Sequence, residues 1–110
     1  MDIAPINEGH VLVAPDRHVE RLSGLDASSA AHLIGVGHRI AAALVGSSVR
    51  CDGVLFFLAD GEAAGQEVPH LHLHVVPRYH GDGVRLLSQA RPRSREELDA
   101  TASNIAAALD

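Results

Sequence analysis

The sequence predicts a single α+β domain, in which two helices accompany a small antiparallel sheet. Histidine and aliphatic residues alternate over residues 70–76, and this period of two is typical of a half-buried strand. Apolar residues recur every three or four positions over residues 25–45 and 95–109, which predicts two amphipathic helices. A length of 110 residues suits one domain, which we take to span residues 1–110.

Composition excludes several classes of protein. The chain has a net charge of −5 and contains no lysine, which argues against binding to nucleic acid. Its longest apolar run, residues 54–59, is too short to cross a bilayer, and polar residues occupy the start of the chain where a signal peptide would be apolar. Cys51 is the only cysteine, so no internal disulfide can form. These features predict a cytoplasmic protein without a nucleic-acid or membrane partner.

The first half of the chain contains one strand and one long helix. Residues 1–9 predict a loop, because proline, asparagine and glycine interrupt it. Residues 10–14 are rich in valine and predict a strand. A helix should follow over residues 25–45, with Asp26 or Ser28 capping its N-terminus.

The second half begins with another strand and ends with the second helix. Residues 49–59 predict a strand, and its continuous apolar centre favours cover on both faces. A glycine-rich loop over residues 60–69 leads into the histidine strand. Ser94 and Glu97 have the spacing of a capping box, which places the start of the last helix near residue 95.

The strand over residues 70–76 carries the candidate site. If it is regular, His70, His72 and His74 share one face, about 6.6 Å apart. The other face consists of aliphatic residues and can enter the core, where each buried leucine contributes about 1.5–3 kcal/mol. Burial of that face would therefore fix the direction in which the histidines point.

Three interpretations of these histidines compete. They are polar residues on an exposed strand, ligands of a zinc ion, or groups that act on phosphate. Imidazole titrates near neutral pH, so one ring can act as a nucleophile while a neighbour donates protons.

The residues around the strand favour the third interpretation. The segment His70-Leu71-His72-Leu73-His74-Val75-Val76 resembles the motif of the histidine triad (HIT) family of nucleotide hydrolases and transferases, and it matches at all seven positions. Gly61-x-x-x-Gly65-Gln66 upstream and Pro77-Arg78 downstream resemble the bacterial branch of the family. The resemblance extends to Asp2-Ile3 and to residues 7–19, and so covers most of the chain.

The resemblance implies a role for each histidine. His72 would be the nucleophile that attacks the α-phosphate of a nucleotide conjugate, forming a nucleotidyl-histidine intermediate. His74 would hold the phosphate oxygens, and His70 would orient the neighbouring ring through hydrogen bonds. His10 would lie beside them and add positive charge as the leaving group departs.

The resemblance also implies the ligand. Asp2 would accept hydrogen bonds from a ribose hydroxyl, while Gln66 and the loop amides near Gly65 would line the phosphate or leaving-group side. The substrate would be a purine nucleotide conjugate, such as a phosphoramidate or a dinucleoside polyphosphate. No cofactor and no metal is expected, because the imidazoles supply both nucleophile and charge.

Two departures from the family pattern leave alternatives open. The family usually carries an amide side chain that contacts phosphate where this chain has Ala59. The chain also begins after the family's N-terminal helix and strands, so we expect an unpaired sheet edge that pairs with a second copy in a homodimer. The alternatives are a catalytically impaired nucleotide-binding or interaction module, and a zinc site on the three histidines.

Overall fold

The computed structural model describes residues 1–85 and 90–109. Its three strands form one antiparallel sheet in the order β1-β3-β2, so the strand that carries His74 is central. The predicted α+β architecture, a small antiparallel sheet with two helices, is confirmed. The elements are β1 (Val11–Val13), α1 (Ala27–Val45), β2 (Gly53–Phe57), β3 (Leu73–Arg78) and α2 (Arg95–Ala108).

The core lies between α1 and one face of the sheet. Alternation along β3 places Leu73 and Val75 on this face, where they are 2% and 0% exposed. Leu71, just before β3, is also fully buried. The aliphatic half of the motif therefore enters the core as predicted. The core side chains contributed by the other elements are Val13 from β1 and Leu33 and Leu44 from α1.

The histidine strand begins later than the predicted 70–76. β3 starts at Leu73, because both neighbouring strands end there: Val13 of β1 pairs with Leu73, and Phe57 of β2 pairs with His74. Before that point the Leu71 N–H donates to the Val19 carbonyl instead of to a strand. His70 and His72 therefore lie outside the sheet ladder.

Strand β2 is one edge of the sheet. Its residues from Val54 to Phe57 are half-buried, so the predicted cover on both faces is only partial in the described part of the chain.

Helix α1 begins at Ala27, where the Asp26 carboxylate accepts from the Ser29 N–H at 2.7 Å, as an N-cap does.

Helix α1 approaches the sheet most closely at Gly37. A Cβ built there would lie 2.8 Å from Leu73 Cδ2 and 3.2 Å from Phe56 Cε2, whereas a Cβ at Gly35 would meet nothing within 4 Å. Glycine at 37 thus permits the helix to pack on β3, while glycine at 35 serves no such contact.

This contrast predicts opposite effects of one substitution. Gly35→Ala should stabilise the protein by about 0.5–1 kcal/mol, because alanine has the higher helix propensity. Gly37→Ala should destabilise it by about 1–2 kcal/mol, because overpacking in the core outweighs that gain. Urea unfolding of the two variants beside the wild type measures both values. Equal stabilisation by both substitutions would contradict the close approach.

Helix α2 stands apart from the rest of the described chain. Its capping box is present, with Ser94 Oγ accepting from the Glu97 N–H and the Glu97 carboxylate accepting from the Ser94 N–H. Among the described elements it contacts none, and its apolar residues Leu98 and Ile105 are 44% and 60% exposed. Neither described helix combines the length and the apolar character needed to span a bilayer.

Candidate active site

The site forms on the face of the sheet opposite α1. Leu12, His74 and Phe57 are cross-strand partners, so their side chains lie in one row on this face. The Phe57 ring stacks on the His74 imidazole with centroids 3.9 Å apart and planes 8° from parallel. The neighbouring strand thus fixes the orientation of the His74 ring through the stacked Phe57 side chain.

His10 lies next to His74 and is 1% exposed. Its Nδ1 accepts the Ile6 N–H at 3.1 Å, so in the neutral ring the proton is on Nε2. That Nε2–H donates to His74 Nδ1 at 2.9 Å. Because His74 Nδ1 accepts this hydrogen bond, the proton of the neutral His74 ring is on Nε2. The two hydrogen bonds therefore fix a single tautomer for each ring.

Both rings favour the neutral form. Burial, reinforced by the neighbouring His72 and His10, lowers the pKa of His74 to about 4. Burial also lowers the pKa of His10, and the nearby Asp2 carboxylate only partly opposes it. His10 is therefore a neutral hydrogen-bond donor to His74 at neutral pH, before any leaving group departs.

His72 has the opposite tautomer. Its Nδ1 lies 2.7 Å from the His70 carbonyl, which can only accept, so Nδ1 carries the proton and Nε2 keeps its lone pair. Its ring lies 4.7 Å from that of His74, centroid to centroid, in an edge-on arrangement. The lone pair on His72 Nε2 and the N–H donor on His74 Nε2 therefore belong to two rings in contact.

His70 orients His72, but through its backbone carbonyl. Its own imidazole turns away, with Nε2 2.9 Å from the Pro15 carbonyl, and its ring contacts that of His18 at 5.4 Å between centroids. The three motif rings therefore do not converge, which leaves the zinc site proposed for them without geometric support. The described residues whose ligand atoms do come within 4.8 Å of one another are Asp2, His10 and His74.

A cavity of about 700 Å³ opens over His72 and His74. This volume is in the range of small-molecule sites. Aliphatic side chains from the N-terminal segment, β1 and the 65–68 loop form much of its wall. The residues that line it, besides the two histidines, are Met1, Asp2, Ile3, Ala4, Ile6, His10, Leu12, Phe57, Gly65, Glu67 and Val68.

Asp2 places a carboxylate in this cavity. It accepts the Ala4 N–H at 2.9 Å, and this hydrogen bond lowers its pKa. Its other oxygen lies 3.6 Å from His10 Nδ1. The N-terminal segment is held in turn by the buried Asn7, whose amide donates to the Pro77 carbonyl at 2.9 Å. Asp2 is thus held in place although it belongs to no strand, and its own N–H donates to the His10 carbonyl at 3.0 Å.

Gln66 is not among the residues that line the histidine cavity, but it lines a neighbouring cavity at the 61–69 loop. Its Nε2 donates to the carbonyls of Glu20 and Val68, and its Oε1 accepts the Gly61 N–H at 2.8 Å. These three bonds occupy the amide in holding the loop closed. Gly65 does line the cavity, but its N–H donates to the Glu62 carbonyl at 2.9 Å and is engaged in the loop.

Several residues of the site are not indicated by the histidine motif, among them Leu12, Phe57 and Glu67. Phe57 and Leu12 reach His74 only through strand register, which no local pattern specifies. Glu67 lies in the loop before the histidine strand, and its position next to Gln66 is the one signal in the sequence for its place at the site.

The depressed pKa of His74 predicts a pH-dependent stability. The folded pKa of about 4 lies below the ordinary 6.5, so the unfolded chain binds the proton first as pH falls. Stability is therefore full above pH 6.5 and is lost progressively towards pH 4. We expect a loss of about 1–2 kcal/mol from this partly exposed group, after solvent screening. Urea unfolding at pH 7 and 4.5 should show a smaller loss for His74→Asn than for wild type, whereas the exposed His38→Asn should match wild type.

The fold and the site describe a class of α+β proteins in which imidazoles of opposite tautomer line a small-molecule cavity beside a three-stranded antiparallel sheet. Comparison with known sequences identifies the class. The HIT domain matches residues 1–81, and the chain belongs to the HIT family. An uncharacterised HIT-like protein of Mycobacterium tuberculosis is 34% identical over 99% of this chain and 75% of its own length.

Other relatives carry more specific descriptions. A bis(5'-adenosyl)-triphosphatase of Dictyostelium discoideum is 32% identical over 96% of this chain and 74% of its own length. The crystal structure of a HIT family member from Bacillus subtilis superimposes with a TM-score of 0.89 at 30% identity, covering 100% of this chain and 79% of that one. A zinc-bound histidine triad protein of Mycobacterium smegmatis gives a TM-score of 0.73 at 40% identity, covering 99% and 79%.

Proposed function

We propose that this protein hydrolyses purine nucleotide conjugates at the α-phosphate, or transfers their nucleotidyl group, through a nucleotidyl-His72 intermediate. The single observation that supports the proposal most is the state of His72. Its Nδ1–H is bonded to the His70 carbonyl, so the neutral ring has its lone pair on Nε2, at a cavity large enough for a nucleotide.

In the first step His72 Nε2 attacks the α-phosphorus. A P–N bond to the imidazole forms, and the bond between phosphorus and the leaving amine or phosphate oxygen breaks. The leaving group takes the electron pair of that bond and, if it is an amine, a proton from solvent. In the second step a water oxygen attacks the phosphorus, its proton returns to solvent, and His72 recovers its lone pair. The sum is hydrolysis of one phosphoramidate or phosphoanhydride bond.

His74 and His10 support this reaction without a change of charge. With Nδ1 of His74 occupied by His10, the His74 Nε2–H remains as the donor for a phosphoryl oxygen. Burial keeps both rings neutral at neutral pH, so the His74 Nε2–H donor is present at neutral pH.

The same cavity provides for the nucleoside. Ile3, Ile6 and Leu12 form an apolar surface on which a base can pack. Phe57, whose ring stacks on His74, adds to this surface. The Asp2 carboxylate is the group in the lining best suited to accept hydrogen bonds from ribose hydroxyls. No cofactor enters this mechanism.

A second candidate function is a nucleotide-binding module with impaired catalysis. The observation that favours it is the shortage of side-chain amides for the phosphate. The amide of Gln66 is engaged within its loop, and Ala59 has none. Each missing charged hydrogen bond would weaken transition-state binding by about 1–3 kcal/mol.

Rapid quench separates the two candidates. An adenosine 5'-phosphoramidate mixed with stoichiometric protein should give a burst of released amine, together with protein that carries one nucleotidyl group by intact mass. Calorimetric binding of AMP without burst, modified protein or turnover would select the binding module instead.

We also propose a second copy of the chain as a partner. Within the described residues β1 and β2 each pair on one side only, and α1 exposes Ile34 to 51%. Light scattering at micromolar concentration tests this, and a mass of one chain would contradict it. The cytoplasmic location remains a prediction from the sequence.

A further inference from the structure

A second cavity adjoins the one that contains His72. It has a volume of about 800 Å³ and lies between the 61–69 loop and the segment that contains Glu20 and Arg21. Gly65 and Glu67 line both cavities, so the two spaces meet at this loop. A ligand whose nucleoside fills the first cavity can extend past Glu67 into the second.

The second cavity is negatively charged. Glu20, Glu62 and Glu67 line it together with one arginine, Arg21. Arg21 is already engaged, since its Nε donates to the Asp60 carboxylate at 3.0 Å. Glu67 forms no hydrogen bond or ion pair with the described residues, so its charge is not compensated locally. Of these three glutamates, Glu67 is the one that also lines the histidine cavity.

We infer that Glu67 determines which leaving group the site accepts. The inference rests on the proposed function, because it concerns the part of the conjugate that departs when His72 attacks. Ile3, Ile6 and Leu12 give the first cavity an apolar surface for the base, and Gly65 and Glu67 line both cavities. A leaving group that extends from the first cavity towards the second therefore passes Glu67. A carboxylate there attracts an ammonium group and repels a carboxylate or phosphate.

The substrate class that follows is narrower than nucleotide conjugates in general. The site favours phosphoramidates of cationic amines over those of neutral amines. It disfavours conjugates whose leaving group is anionic, including dinucleoside polyphosphates, which release a nucleotide.

The test uses three AMP phosphoramidates of equal chain length. Their amines end in an ammonium, a methyl or a carboxylate group. For the wild type at low salt we expect kcat/KM to fall in that order, by about 3–10-fold at each step. Raising the salt concentration should reduce the differences in kcat/KM between the three conjugates, because the charges are partly exposed to solvent.

Two variants that each remove one negative charge test whether Glu67 causes this difference in kcat/KM. Glu67→Gln should reduce the spread between the cationic and the anionic conjugate by about 5-fold or more. Glu96→Gln, on the exposed helix α2 and outside both cavities, should leave the spread as in the wild type.

The outcomes are distinct. Equal kcat/KM for all three conjugates, with the intermediate still formed, would overturn the selection by charge and leave the proposed function standing. A spread that Glu67→Gln does not change would overturn the role of Glu67. No turnover of any conjugate by the wild type would refute the proposed function, and this inference with it.

Discussion

His72→Asn is expected to reduce turnover of an adenosine 5'-phosphoramidate by at least about 1000-fold, because it removes the nucleophile on which both steps depend. The asparagine amide has no lone pair of comparable basicity where Nε2 stands. The expected loss is in kcat, and no nucleotidyl-protein should accumulate in rapid quench. AMP should still bind, since the apolar cavity and Asp2 are unchanged.

The fold should survive this substitution. His72 is only half-buried and precedes the sheet ladder, and the aliphatic neighbours Leu71 and Leu73 keep the segment in place. His38→Asn on the exposed face of α1 is the matched control and should retain full activity. Turnover by His72→Asn within about 100-fold of the wild type, the smallest loss typical of a positioned proton-transfer group, would refute nucleophilic catalysis at this residue.

His10→Leu is expected to give the second largest effect, through a different route. The substitution keeps a large side chain in the buried site but leaves His74 Nδ1 and the Ile6 N–H without a partner. A buried group left unpaired costs about 1–3 kcal/mol, and these two groups are partly buried, so we expect a loss of about 2–4 kcal/mol in the free energy of unfolding. We also expect kcat to fall about 10–100-fold, because His74 is no longer confined to the tautomer that donates from Nε2.

Two measurements distinguish this positioning role from a general loss of stability. Nitrogen chemical shifts of the His74 ring should show a single tautomer in the wild type and a mixture in His10→Leu. His10→Gln, which restores an N–H donor, should recover part of kcat. His18→Leu, the same exchange at an exposed histidine, should change neither quantity. If His74 keeps a single, unchanged tautomer in His10→Leu, His10 does not fix the tautomer of His74, and its positioning role is contradicted.

The sequence determined the features that depend on local period. Alternation over residues 70–76 predicted the burial of Leu71, Leu73 and Val75, because a one-residue shift would have placed imidazoles in the core. The capping pair Ser94 and Glu97 predicted the start of α2. The motif itself predicted the HIT family, which the comparisons confirm.

The tertiary structure decided what each polar group does, because that depends on partners far away along the chain. The amide of Gln66 is engaged by the Glu20 carbonyl, 46 residues earlier, and the ring of His70 by the Pro15 carbonyl, 55 residues earlier. Strand register set Phe57 against His74. A periodic pattern specifies which face a side chain takes, but a hydrogen bond or a charge depends on what the rest of the chain brings to that face.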